Sequence, residues 1–201
     1  MENNAVRLAA EATGAAPALV LRPWGPQDVG ELVEVFRDDA LRRWTSAAVD
    51  DEAGAARWVR DQLRGWEAGE RYAFAVVESG SADAGGGLVG HVVLKGVVPG
   101  VPSAEVGYWT VAHARGRAVA PRALRALTDW AFTALPAARG AELTRLELVH
   151  RVDNTASCRV ARKCRYALAT PLPPAPPAHP RAGHLHVRER DDARADPSDE
   201  V

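Results

Sequence analysis

Apolar positions along the chain switch between a period of two and a period of three to four, and the switches mark its elements. "ALVLR" (18–22) reads as a first strand. Pro26 opens a helix at a position where its missing N–H costs nothing, and Val29, Leu32, Val33 and Phe36 follow at helical spacing. A second helix is predicted over 51–66, with Ala55, Trp58, Val59, Leu63 and Trp66 on one side, so that Trp58 and Trp66 read as core. "YAFAVVE" (72–78) and "LVGHVVLKG" (88–96) form a hairpin across the glycine-rich turn 79–87, and "AEVGYWTV" (104–111) alternates with period two. The strongest helix covers 119–135, where Ala120, Leu124, Leu127, Ala131 and Leu135 share a face. A strand at 143–150 and a short helix at 154–164 come next, the latter capped by Asn154. "RYALA" and "HLHVRER" are weaker strands either side of a proline tract. The order β-α-α-β-β-β-α-β-α-β-β predicts a mixed α/β sheet, not a doubly wound one.

Both ends read differently. Residues 1–17 show no sustained period and are expected to be a flexible leader; 18–190 form one domain; 191–201 are a disordered, charge-rich tail. Within the domain, 170–183 ("TPLPPAPPAHPRAG") should be a proline-rich loop, closed to helix and to central strand. The 201 residues are 47% apolar and 25% charged, enough for one packed core. A net charge of −1 gives no bulk attraction to nucleic acid or membrane, and no nucleic-acid partner is expected. Two cysteines, Cys158 and Cys164, read as thiols in a reducing, cytoplasmic setting. No segment reads as a signal peptide or a membrane span.

The chemistry concentrates in "HARGRAVAPRALRAL" (113–127). A strand ends near Val111 and a helix starts within about ten residues. First-turn N–H groups lack internal partners, and the helix dipole makes that end partly positive. Gly116, Ala118 and Ala120 let a ligand approach the backbone, while Arg115 and Arg117 add charge. Together these make a phosphate cradle; on the local pattern alone, an ordinary strand–helix loop with solvent-facing arginines stays open. The lysine–hydroxyl pair of a Walker loop is missing, and GxGxxG does not fit.

The loop resembles the pyrophosphate loop of the GNAT superfamily of N-acetyltransferases, [Gln/Arg]-x-x-Gly-x-[Gly/Ala], along Arg115, Gly116, Arg117, Ala118, Val119 and Ala120. "EVGYW" (105–109) directly before it, and "HRVDNTASCRVARKCRYAL" (150–168) with its Asn-x-Ala-Ser segment, are similar to the branch that acetylates N-terminal amines of ribosomal proteins (RimJ/RimL-like). "WTS" (44–46) is also similar to that branch. The resemblance spans about 18–170. It implies a GNAT fold: a mixed, mostly antiparallel sheet with a splayed central strand pair, flanked by about four helices. Three features depart from the pattern. Ala118 stands where the loop usually has glycine, Cys164-Arg165-Tyr166 replaces Leu-Gly-Phe, and the proline tract sits where the last two strands usually pair. Alanine at 118 is costly only if its φ is positive.

The implied co-substrate is acetyl-CoA, held by the backbone near Val111, the 115–120 loop and Asn154, with no metal. The implied acceptor is a primary amine, on a small molecule or a protein N-terminus; a homodimer is admissible. Glu105, on the cleft face of the central strand, is the expected general base acting through water, with His91 and His113 as alternatives. Ser157, near the CoA sulfur by resemblance, is the expected acid, although Asn154 and Ser157 also read as a cap and its first turn. Trp44, Glu105 and Tyr108 are expected at the acceptor side, Trp44 from a loop. The competing expectation is a GNAT-fold module that binds acyl-CoA or another ligand without turnover.

Overall fold

A computed structural model describes residues 6–45, 49–79, 87–139, 142–176 and 181–190, with the side chains of 136–139 left aside. Eight strands form one sheet in the order β1-β2-β3-β4-β5-β6-β8-β7. They are β1 (Leu8–Ala10), β2 (Leu19–Pro23), β3 (Arg71–Glu78), β4 (Leu88–Lys95), β5 (Ser103–Thr110), β6 (Arg145–Arg151), β7 (Ala167–Leu172) and β8 (Gly183–Glu189). The helices are α1 (Val29–Val35), α2 (Asp39–Trp44), α3 (Glu52–Ala68), α4 (Val119–Arg139) and α5 (Thr155–Lys163). All neighbouring strands are antiparallel except β5 and β6.

Strand alternation divides the core between the two faces. One face buries Val92, Leu94, Val106, Leu146 and Leu148 with Leu124, Leu127, Ala131 and Leu135 of α4. The other buries Ala73, Ala75, Val93 and Trp109 with Leu32 and Phe36 at the α1 end and Val59 of α3. Trp66 and Trp58, one helix face in the sequence, separate. Trp66 joins Tyr72, Phe74 and Trp130 in the α4 core, while Trp58 is only partly buried beside Trp24.

The first residues are not all a loose leader. Leu8–Ala10 pair with Leu19–Leu21, and the buried Arg122 of α4 donates from Nη2 to the carbonyls of Ala10, Glu11 and Pro17 at 3.3, 2.5 and 2.8 Å. A three-residue strand is too short for a visible period. Nor does the proline tract displace the last strand pair: β7 runs through Thr170 and Pro171 to Leu172, paired with β8. Pro171 is accommodated because β7 is the sheet edge, where a missing N–H breaks no ladder. Residues 1–5, 80–86, 177–180 and 191–201 of the expected leader, turn, loop and tail lie outside the described residues.

Candidate functional site

β5 and β6 pair in register only from Ser103↔Arg145 to Val106↔Leu148. Both strands continue, to Thr110 and Arg151, without pairing further. The splay is therefore real, and it opens one edge of β5 from Gly107 onward. On the other edge β5 stays paired with β4 as far as Gly90↔Thr110. Val111 N donates to Val89 O at 3.0 Å, and the Val111 carbonyl accepts from Ala114 N at 3.0 Å. Hydrogen-bonded and non-hydrogen-bonded pairs alternate in an antiparallel ladder, so Tyr108 and Thr110 turn their N–H and C=O groups into the gap. This corrects the expectation for Val111, whose backbone groups are both engaged internally. The open donors belong to its neighbours.

A cavity of about 850 Å³ opens at this gap. Glu105, Tyr108, Asn154, Ser157 and Trp44 all border it, so five of the expected residues converge from β5, α5 and α2. The 115–120 loop lies beyond the lining, at the start of α4. Glu105 is half-exposed and pairs with Lys95 Nζ at 2.8 Å, its cross-strand neighbour. His91 also lines the cavity, but its Nδ1 accepts from Trp24 Nε1 at 3.0 Å and its ring stacks on Trp109 at 5.3 Å. Burial, reinforced by the Arg71 charge, lowers its pKa to about 3. With its basic lone pair taken, His91 is a neutral donor and not a base. His113 is exposed on a short 3-10 turn.

The Tyr108 hydroxyl is buried without a hydrogen-bond partner of good geometry. Burial pushes its pKa up, opposed by the Ser157 hydroxyl that faces it. Ser157 is set by α5: its N–H donates to the Asn154 carboxamide oxygen at 3.2 Å, the expected cap. Trp44 ends α2 and is not in a loop; Asp38 caps that helix by accepting from Ala40 N at 3.0 Å. The guanidinium groups of Arg43 and Arg151 lie 5.0 and 4.8 Å from its ring centre. Ser46, beside it in the sequence, lies outside the described residues.

The loop before α4 bends through two left-handed residues, Gly116 at φ 78° and Ala118 at φ 57°. Arg122 is the first α4 residue with an intrahelical partner, donating to Ala118 O at 3.3 Å; the N–H groups of Val119 and Ala120 precede it in the open first turn. The loop arginines are not free charges: Arg117 pairs with Glu78 at 2.5 Å, and Arg115 pairs with Asp38. They brace the loop from outside.

Sequence reasoning missed the cavity's electrostatic character. Arg43, Arg71, Lys95, Arg151 and Arg181 border it; Lys95 pairs with Glu105, and Asp153, outside the lining, lies 3.6, 2.6 and 4.0 Å from Arg43, Arg151 and Arg181, so five cations face two carboxylates. They come from distant segments, so no run of basic residues announces them.

The chain matches the family model for an acetyltransferase (GNAT) domain over residues 18–167. No curated protein matches it significantly in sequence. Among solved structures it is similar to a Vibrio cholerae protein assigned as a ribosomal-protein-serine acetyltransferase, at 24% identity and a TM-score of 0.73, over 94% of this chain and 99% of that one. It is also similar to Mycobacterium smegmatis RimJ in complex with CoA-disulfide, at 20% identity and a TM-score of 0.75, over 90% and 86% of the two chains. A third is the microcin C7 self-immunity acetyltransferase MccE in complex with acetyl-CoA and AMP, at 14% identity and a TM-score of 0.72, over 88% and 97%. At these identities the structures establish the fold.

Proposed function

The chain belongs to the GNAT acetyltransferase family, and from that premise we propose that it moves the acetyl group of acetyl-CoA to a primary amine whose carrier also bears negative charge. The observation that carries this reading is the gap beside β5, which exposes backbone hydrogen-bonding groups at the wall of a cavity holding Glu105, the Tyr108 and Ser157 hydroxyls and an excess of cations.

The residues present fit acetyl-CoA. The open edge of β5 offers Tyr108 and Thr110 as strand-like partners for an amide-bearing arm, and the first turn of α4 offers unpaired N–H groups to a pyrophosphate. The buried Tyr108 hydroxyl, with only Ser157 facing it and no hydrogen bond of good geometry, marks a polar position beside that edge. Acetyl-CoA supplies a thioester whose carbonyl is open to attack by a neutral amine.

The chain's own residues then divide the proton work. Glu105 takes the proton that the acceptor ammonium must lose, through water, while Lys95 holds its carboxylate in place. N–H groups of Tyr108 and Thr110 stabilise negative charge developing on the carbonyl oxygen. Ser157, held by the Asn154 cap and facing Tyr108, returns a proton to the departing sulfur. Asn154 serves cap and arm contact together. Trp44, Trp58 and Trp109 line the cavity with aromatic faces suited to a cationic amine, and the cationic excess that remains beyond Glu105 and Asp153 attracts an acid group on the same molecule. An amino acid, an acidic peptide N-terminus or an aminoacylated phosphate fits; a simple polyamine does not.

Free-thiol release from acetyl-CoA tests this across a panel pairing each acidic amine with its amidated or esterified form. The expected result is turnover that favours the acidic member, with an advantage that shrinks as salt rises. Equal rates for both members would refute the charge argument. CoA binding without any thiol release would support the ligand-binding module instead. Glu105→Gln is expected to lower kcat while acetyl-CoA binding persists. Ser157→Ala should lower kcat with little change in KM for the acceptor.

A further inference from the structure

Behind the cavity wall, α5 packs over the paired ends of β6 and β8, and the facing side chains are unusual. His150 and His184 are cross-strand neighbours, and His186 lies two residues along the same strand face. Cys158, one residue after Ser157, points down from α5. Its Sγ lies 3.5 Å from His150 Nε2 and 3.3 Å from His184 Nδ1. One nitrogen of each histidine and this sulfur all lie within 4.8 Å of one another.

The hydrogen bonds around the cluster fix which nitrogens carry protons. His150 Nδ1 lies 2.9 Å from the Arg151 carbonyl, and His186 Nδ1 lies 3.2 Å from the Tyr166 carbonyl. A carbonyl can only accept, so both Nδ1 atoms are donors and both Nε2 atoms present lone pairs. His184 turns Nδ1 to the same sulfur. Cys158 has one S–H to offer three ring nitrogens. His186 is 2% exposed, and its Nε2 has no partner. A buried lone pair without a donor is costly, and here several converge on one point.

We propose that His150, Cys158, His184 and His186 form a closed four-ligand site for a single divalent cation of the zinc class. The donor set, three imidazoles and a thiolate, suits a borderline-soft ion in tetrahedral geometry. With zinc–nitrogen bonds of about 2.0–2.1 Å and a zinc–sulfur bond of about 2.3 Å, tetrahedral nitrogen–sulfur edges are about 3.5–3.6 Å. The two measured sulfur–nitrogen separations are already close to that. The Nδ1–H bonds to the Arg151 and Tyr166 carbonyls act as the outer contacts that orient metal-bound imidazoles. All four positions are filled by protein, so the ion is structural and not a Lewis acid for the transfer. It would staple α5, and with it Ser157, to β6 and β8.

The test uses the full chain, stripped with a chelator and then titrated with zinc or cobalt(II) alone. The expected result is one equivalent bound. Cobalt should show the intense visible bands of a tetrahedral centre and a thiolate-to-cobalt charge-transfer band, and metal should raise the melting temperature. Cys158→Ser should abolish the charge-transfer band. His186→Ala should weaken zinc by more than the 10–100-fold typical of outer-shell changes. Cys164→Ala should leave binding intact, because Cys164 lies outside the cluster and donates to the Pro121 carbonyl. No stoichiometric metal on the wild-type chain, or a cobalt spectrum without a thiolate band, overturns the site even if a variant fails to fold.

Discussion

Ala118→Gly should make the protein more stable, although it deletes a methyl group. Ala118 sits at φ 57° immediately before α4. There its Cβ crowds the carbonyl oxygen, which costs an L-residue about 1–2 kcal/mol. Glycine is free of that cost but gives the unfolded chain more freedom, worth about 0.4–1 kcal/mol in the opposite direction. The net expectation is a gain of about 0.5–1 kcal/mol, or roughly 1–4 °C in melting temperature for a chain of this size. Ala120→Gly is the internal control. It lies inside the first turn of α4 with ordinary helical geometry, so glycine there should cost about 0.5–1 kcal/mol. Thermal and urea unfolding of the two variants read this directly. If both glycines destabilise alike, residue 118 is not left-handed and the description of the loop is wrong. Acetyl-CoA affinity of Ala118→Gly should be equal to or tighter than that of the parent, because the backbone path is unchanged and less crowded.

Three other outcomes follow from buried polar groups. Unfolded His91 takes its proton near pH 6.5, whereas the folded side chain resists until about pH 3. Its share of stability is therefore complete above pH 6.5 and is lost as pH falls toward 3, by at most about 5 kcal/mol. His91→Gln, which keeps an acceptor for Trp24, should show a shallower loss of stability than the parent over that window in urea melts; identical slopes would refute the buried neutral histidine. Tyr108→Phe removes a buried hydroxyl whose one polar neighbour is the Ser157 hydroxyl, at poor hydrogen-bond geometry, so stability should change by no more than about 1 kcal/mol. A loss of turnover in that soundly folded variant would place the hydroxyl in the proton path with Ser157, while unchanged kcat would remove it. Arg122→Met keeps an apolar stem but takes the donor from three carbonyls, so trypsin or chymotrypsin should release the segment before β2 faster, at a stability cost of about 1–3 kcal/mol. Unaltered cleavage would mean that β1 is held by its ladder alone.

Most elements were legible because their signals are local. The face of α4, the alternation of β5 and the Asn154 cap each lie within a few residues of chain. The same holds for the departures at 118 and 165: both alanine and arginine occupy left-handed positions, φ 57° and 59°. A glycine-shaped slot in a motif was thus readable, and its backbone angle followed. What escaped was short or long-range. α2 is only six residues, and its one local signal is the Asp38 cap before "DALRRW". β1 exists because β2 and Arg122 hold it, not because of its own sequence.

By itself the sequence determined the order of the strands and helices other than β1 and α2, and the family, since each depends on neighbouring residues or on motifs in series. Only the tertiary structure decided where β5 and β6 part, which backbone groups that leaves open, and which charges meet across the cavity. It alone brought His150, Cys158, His184 and His186 together from two strands and a helix. The physical reason is the same in each case. Period and propensity act over a few residues, whereas a gap, a cationic rim and a four-ligand cluster are made by packing segments whose separation along the chain carries no trace of their meeting.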